Sequence, residues 1–102
     1  MKIIDFKTVS PLFELERDGG KPFTERLIDP HDQRFKALAQ WQPEYEWGIR
    51  ITNPTTGESF IRKLVSASYF DYLDYSETVF TRREKTFYNW RLLILGEKVG
   101  VG

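Results

Sequence analysis

A β-hairpin in the middle of the chain constrains the fold more than any other feature of the sequence. Residues 47–52 alternate apolar side chains with small or polar ones, and residues 59–65 resume a strand-like run. Between the two runs, the stretch Asn53–Gly57 is made of residue types that favour turns. The pattern therefore predicts two strands that pair antiparallel around this turn.

Elements with ordinary start and stop signals precede the hairpin. Residues 2–7 are typical of a short strand. Ser10 and Pro11 then predict a helix with the serine as its N-cap and the proline in its first position. Gly19 follows the apolar positions and predicts the helix end, because glycine adopts the left-handed cap conformation. Residues 22–28 are expected to form a second strand.

The remaining segments complete an alternating pattern. Asp29-Pro30 repeats the cap-and-proline signal and predicts a short helix through Phe35, Leu38 and Ala39. The other expectations are a loop at 41–46, a helical turn at 69–76, a charged loop at 81–85, a closing strand at 86–95 and a turn at 96–98. The resulting class is α+β, with a small, mainly antiparallel, curled or barrel-like sheet and two or three short helices.

Length and composition bound the possible functions. A chain of 102 residues is the size of one domain, which we assign to residues 1–102. The absence of cysteine excludes disulfides and thiolate sites and fits a cytoplasmic protein. The longest apolar run, Leu92–Leu95, is far too short to span a membrane, and the N-terminus does not resemble a signal peptide. A formal net charge of zero excludes bulk adhesion to nucleic acid or to a membrane, but allows a local patch.

The sequence predicts neither a metal site nor a cofactor. His31 is the only histidine, and no cluster of ligand types surrounds it in sequence. The run Gly19-Gly20-Lys21 lacks the spacing of the standard phosphate-binding loops.

The segment around Lys21 carries the strongest signal for a binding site. Thr24 and Arg26 are two residues apart and would share one face of the second strand, next to a lysine on the preceding turn. An ammonium, a hydroxyl and a guanidinium in one small area suit a phosphate, a carboxylate or a nucleobase carbonyl. The alternative is a solvated strand face on which Arg26 forms a salt bridge with a nearby carboxylate, either Glu25, Asp29 or Asp32.

A second candidate surface lies near the C-terminus. From residue 80 onward, basic residues and aromatic rings interleave, as in surfaces that bind single-stranded nucleic acid. The residues that we expect to contact a ligand there are Arg82, Arg83, Lys85 and Tyr88. The alternative is a solvated loop followed by an ordinary core strand, since alternation in a strand gives the same pattern.

The segment Gly19-x-Lys21 followed by Phe23, Thr24 and Arg26 resembles the signature of the ASCH domain, a member of the PUA-like fold. In that family the motif follows a first strand and helix. The hairpin at 49–57 and the segment from Val65 to Leu73 are also similar to the family. The resemblance covers roughly residues 3–75.

The resemblance implies a cleft that binds RNA, a nucleotide or a modified base. Some small members of the family are amidohydrolases that deacylate an acetylated cytidine with a lysine, a threonine and a glutamate. By position, Lys21 and Thr24 match the first two roles. No carboxylate matches the third securely, and Glu77 and Asp74 are only nearby candidates.

We therefore expect a PUA-like module that binds RNA, single-stranded nucleic acid or a nucleotide around Lys21, Thr24 and Arg26, and we favour binding over catalysis. An alternative is a small accessory adaptor or inhibitor, of the type that mobile elements carry, which contacts a protein through Trp41–Trp47 or Tyr69–Tyr75. A third hypothesis is an amidohydrolase that acts on acylated nucleosides. An exposed strand edge at either terminus would also allow a homodimer.

Overall fold

A computed structural model describes the backbone of residues 1–27, 31–71, 80–82, 85–87 and 89–100, and the side chains of residues 1–26, 31–67 and 93–100. The described helices are α1 (Leu12–Asp18) and α2 (Gln33–Leu38). The described strands are β1 (Lys2–Lys7), β2 (Phe23–Leu27), β3 (Trp47–Thr52), β4 (Ser59–Asp71), β5 (Phe80–Arg82), β6 (Lys85–Phe87) and β7 (Asn89–Lys98).

Five of the strands form one curled sheet in the order β1-β3-β4-β7-β2, so that β1 and β2 are its two edges. The β1–β3 pair is parallel, whereas β3–β4, β4–β7 and β2–β7 are antiparallel. The prediction of an α+β chain with a mainly antiparallel, curled sheet is confirmed at this level. Neither described helix is long and apolar enough to cross a membrane.

The predicted hairpin is present and supplies the centre of the core. Its strands pair from Thr52↔Ser59 to Gly48↔Lys63. Ile49 and Ile51 lie on one face of β3 and are fully buried, as the alternation predicted. The buried apolar side chains among the described residues come from β1, β3, β4 and β7 and from both helices: Ile4, Phe6, Phe13, Phe35, Leu38, Ile49, Ile51, Phe60, Leu64, Leu93 and Leu95.

Helix α1 ends as predicted but begins differently. Gly19 caps its C-terminus with φ of 87°, in the left-handed region. The helix begins at Leu12 after an N-cap at Pro11, and no side chain caps it, so the prediction of Ser10 as the N-cap was wrong. The Ser10 hydroxyl instead donates a hydrogen bond to the Glu14 carboxylate in the first turn.

Helix α2 begins later than the sequence signal predicted. Its N-cap is Asp32 rather than Asp29, and the Asp32 carboxylate accepts a hydrogen bond of 2.9 Å from the backbone N–H of Arg34. Phe35 and Leu38 are buried, as their spacing predicted, and Ala39 is the C-cap rather than a helical residue.

The second half of the chain contains more strand than predicted. Residues 69–71 continue β4 in register with β7 rather than starting a helix, and residues 72–76 lie outside the described part. Residues 81–82 and 85 belong to the paired strands β5 and β6 rather than to a loop. Residues 96–98 extend β7 instead of forming a turn. In each case strand pairing, which one segment alone does not reveal, decides the local conformation.

Candidate functional site

The turn between α1 and β2 places Lys21 beside the last turn of the helix. Gly19 turns the chain with a positive φ that residues with a Cβ rarely adopt. The backbone N–H of Lys21 then donates a 2.9 Å hydrogen bond to the carbonyl of Leu15. This contact fixes the start of the Lys21 side chain relative to α1.

The β2 strand places Thr24 and Arg26 on one face, as their spacing predicted. The Arg26 Nε donates a hydrogen bond of 3.1 Å to the Thr24 hydroxyl oxygen. Thr24 is only 1% exposed, because it pairs with Leu93 of β7 on the inner side of the curled sheet. The hydroxyl therefore holds the guanidinium in place from within the protein.

A buried carboxylate from α1 joins these residues. Glu16 is 1% exposed, and its Oε2 accepts a 3.0 Å hydrogen bond from the Lys21 ammonium. Its Oε1 accepts a 3.1 Å hydrogen bond from the Thr8 hydroxyl and lies 3.9 Å from the Arg26 Nη2. We call Thr8, Glu16, Lys21, Thr24 and Arg26 the Glu16 cluster.

Arg26 also reaches the opposite edge of the sheet. Its Nη1 donates a 2.7 Å hydrogen bond to the carbonyl of Lys7, and its Nη2 donates one of 2.5 Å to the Thr8 hydroxyl. Burial lowers the pKa of the Arg26 guanidinium from its ordinary value; the Glu16 carboxylate opposes that shift, and the positive charge of Arg34 adds to it. Arginine stays protonated despite such shifts, so Arg26 carries a full positive charge here.

An open cavity adjoins the Glu16 cluster. The guanidiniums of Arg26 and Arg34 lie 4.8 and 4.6 Å from the centre of the Phe6 ring. Phe6 and Arg34 line a cavity of about 600 Å³ together with Asp5, Lys7 and Thr52. Arg34 itself pairs with the Asp32 carboxylate, so its charge is largely balanced locally.

The donors and charges of the Glu16 cluster suit an anion. Two cations, Lys21 and Arg26, share one carboxylate, which leaves one excess positive charge. Within the described part of the chain, Lys21 uses one of its three N–H donors and Arg26 uses three of its five. Both side chains are 17% exposed, so part of each one reaches the surface.

The structure brings Lys21, Thr24 and Arg26 together but leaves the other predicted site residues undescribed or separate. Arg82 and Lys85 are register partners in the β5–β6 pair, and their side chains lie outside the described part. The remaining four predicted residues lie outside the described residues altogether: Asp74, Glu77, Arg83 and Tyr88.

The two predicted protein-contact segments differ in what the structure describes. In the Trp41–Trp47 segment, the exposed Tyr45 ring stacks on Trp47 at 5.8 Å between ring centres. Trp41 packs against the core. In the other segment, Tyr69 lies in β4 opposite Arg91, and residues 72–75 lie outside the described part.

Sequence reasoning missed Glu16 and Thr8. A glutamate in a short helix is normally assigned to solvent, yet Glu16 is 1% exposed. The available signal was spacing: Glu16 lies three residues after Phe13, which places both on the same buried face of α1. The Arg26 guanidinium lies 3.9 Å from this helix carboxylate, a partner that the sequence analysis did not consider.

Comparisons of the chain with protein-family models, with curated proteins and with solved structures gave no match. Among the described residues, no group of three or more histidine, cysteine, aspartate or glutamate side chains is placed to hold a metal ion. The functional argument therefore depends on the geometry of the Glu16 cluster.

Proposed function

We propose that this chain is a small PUA-like, ASCH-like module that binds RNA, a nucleotide or a nucleobase at the Glu16 cluster. The ligand group that contacts Lys21 and Arg26 is a phosphate or another anionic oxygen group. The neighbouring cavity beside Phe6 and Arg34 is large enough for a base or a sugar, since it measures about 600 Å³.

One observation carries this proposal: two largely buried cations converge on a single buried carboxylate and keep donors that no described residue uses. Holding two cations close together away from water costs free energy unless a further favourable interaction offsets that cost. A purely structural ion pair needs one cation for one carboxylate. A bound anion would balance the charge of the second cation.

The same geometry favours binding over hydrolysis. The Thr24 hydroxyl is buried and accepts a hydrogen bond from Arg26, so it does not face an incoming substrate. The Lys21 ammonium donates to Glu16 and has no lone pair with which to accept a proton. A threonine nucleophile activated by this lysine would require both contacts to break.

The test is a tryptophan-fluorescence titration with a short single-stranded RNA at several salt concentrations. In Lys21→Ala the affinity should fall, and the slope of log Kd against log salt should decrease by about one, because one phosphate contact is lost. Lys2→Ala is the matched control: it removes the same charge at the far end of β1, about 16 Å from Lys7 at the rise of a strand. Equal effects of the two variants would exclude the Glu16 cluster as the binding site.

A protein-contact adaptor is the second candidate, and one observation favours it. Tyr45 is exposed and stacked on Trp47, and the Lys2 ammonium lies 5.3 Å from the centre of a Trp47 ring. Exposed tyrosine and tryptophan are enriched where proteins meet. If a stoichiometric partner is recovered with the parent chain and lost with Tyr45→Ala, while Lys21→Ala keeps it, the adaptor hypothesis gains over nucleic-acid binding.

A further inference from the structure

We propose that Glu16 makes this site selective for a singly charged phosphodiester over a doubly charged phosphomonoester. The inference depends on the proposed function, because it specifies which phosphate the Glu16 cluster takes. It assigns Glu16 as a specificity-determining residue that acts on the ligand through the two cations.

The central position of Glu16 fixes the charge of the site. Each oxygen of its carboxylate is engaged, Oε2 by Lys21 at 3.0 Å and Oε1 by the Thr8 hydroxyl at 3.1 Å. At 1% exposure the carboxylate has almost no water to screen it. The carboxylate therefore lies at the centre of the site, between the two cations that a ligand would contact.

Two charged residues beside the cluster, Arg34 and Asp5, are each paired with a residue of opposite charge. Arg34, which lies over the same Phe6 ring as Arg26, is paired with Asp32 through a bidentate contact. Asp5, which lines the adjoining cavity, is paired with Arg50 at 2.6 Å. The cluster thus offers one net positive charge to a ligand.

A ligand with one negative charge neutralises such a site, whereas a second negative charge meets no further cation within the Glu16 cluster. The unpaired charge would sit close to the buried Glu16 carboxylate, where it is poorly hydrated and repelled. A phosphodiester carries one negative charge, and a phosphomonoester carries nearly two at neutral pH because its second pKa is near 6. The charge of the site therefore matches a linkage within a nucleic-acid strand better than a terminal phosphate.

The test compares two probes that differ by one methyl group: adenosine 5′-monophosphate and its methyl ester. Both have the same base and sugar, and the ester has one negative charge where the monophosphate has nearly two. Isothermal titration at pH 7.5 should show the parent protein binding the ester more tightly. In Glu16→Gln, the ratio of the two Kd values should move by about tenfold or more towards the monophosphate, because a unit charge buried at the centre of the site is worth at least that factor.

Glu14→Gln is the matched control, because it changes the net charge equally, two residues away on the same helix. Glu14 contacts Ser10 rather than the cluster, so its variant should keep the parent ratio. Lys21→Gln supplies a second arm that does not depend on the folding of Glu16→Gln. It removes a positive charge and should move the ratio towards the ester, opposite to Glu16→Gln.

The outcomes separate this inference from the proposed function. In one outcome the parent binds the probes, Lys21→Gln weakens that binding, and the ratio of Kd values stays constant in all variants. Glu16 then does not set specificity, but the assignment of the binding site stands. If the parent binds neither probe nor single-stranded RNA, the proposed function fails, and this inference fails with it. A parent protein that prefers the monophosphate also overturns the inference.

Discussion

Arg26 on one edge strand of the sheet donates a 2.7 Å hydrogen bond to the carbonyl oxygen of Lys7 on the other edge strand. The curled sheet brings β1 and β2 close together without pairing them, and one side chain spans the gap. The same guanidinium holds Thr24 and Thr8 and lies beside Glu16. Arg26 therefore both links the two edge strands of the sheet and forms part of the candidate site.

Replacing Arg26 by lysine should destabilise the fold even though the charge is kept. A lysine ammonium cannot reproduce the fork that contacts Thr24, Lys7 and Thr8 together. We expect Arg26→Lys to lower the free energy of unfolding by about 2 kcal/mol, the value of one or two charged hydrogen bonds. Urea denaturation measures this directly.

The control for that variant is Arg50→Lys. Arg50 also donates to a carboxylate, Asp5, but the pair is on the exposed side of β1 and β3. Exposed ion pairs contribute little, so this variant should leave the urea midpoint almost unchanged. Similar losses for Arg26→Lys and Arg50→Lys would contradict the bridging role of Arg26.

Gly19→Ala should impair both stability and ligand binding. The residue has φ of 87°, which costs about 1 kcal/mol for alanine, and it precedes the turn that orients Lys21. Gly57→Ala is a matched comparison, because Gly57 has φ of 77° and a Cβ there would meet no atom within 4 Å. We expect both variants to lower the midpoint of thermal unfolding by a similar amount. Only Gly19→Ala should weaken RNA binding. Equal binding by the two would show that the turn does not position Lys21.

The Asp5–Arg50 pair should give a small dependence of stability on pH. The hydrogen bond from Arg50 holds the pKa of Asp5 below its ordinary value of 3.8. A lowered pKa in the folded state adds stability above the unfolded pKa, and this stability is lost as pH falls through the folded pKa. The parent protein should therefore exceed Arg50→Gln in stability at neutral pH, and the difference should vanish in acid below the folded pKa.

Chemical denaturation at pH 7 and at steps below pH 4 measures that difference, and an NMR titration of the Asp5 carboxyl measures the pKa itself. Because the pair is largely exposed, added salt should shrink the difference. A difference that grows as the pH falls would contradict this assignment.

Local signals in the sequence were sufficient to predict the elements whose conformation does not depend on a neighbouring strand. The alternation of Ile49 and Ile51, the turn at Asn53–Gly57 and the left-handed Gly19 are all properties of short segments, and the structure has them as predicted. The class of the fold followed from these elements. Residues 69–71 and 96–98 were misassigned because their conformation comes from the β4–β7 ladder, whose pairing no local pattern encodes.

The residues of the candidate site also fall into those that local spacing predicts and those that depend on tertiary contacts. Thr24 and Arg26 share a face because strand side chains alternate, which spacing alone predicts. Glu16 and Thr8 join them only because α1 packs under the curled sheet, a tertiary contact between segments that the sequence keeps apart. The cationic half of the site was therefore predicted from spacing, whereas the only local signal for its carboxylate, the helical spacing of Glu16 from Phe13, does not reveal which residues Glu16 contacts.

The most direct test of the central claim is an NMR titration that follows arginine side-chain Nε–H signals while a short oligouridylate is added. The signal of Arg26, whose Nε donates to Thr24, should shift progressively and saturate. The signal of Arg50, whose Nε donates to Asp5 on the exposed face, should stay in place. An unchanged Arg26 signal, with shifts at Arg50 or at the indole N–H of Trp47 instead, would contradict the assignment of the Glu16 cluster as the binding site.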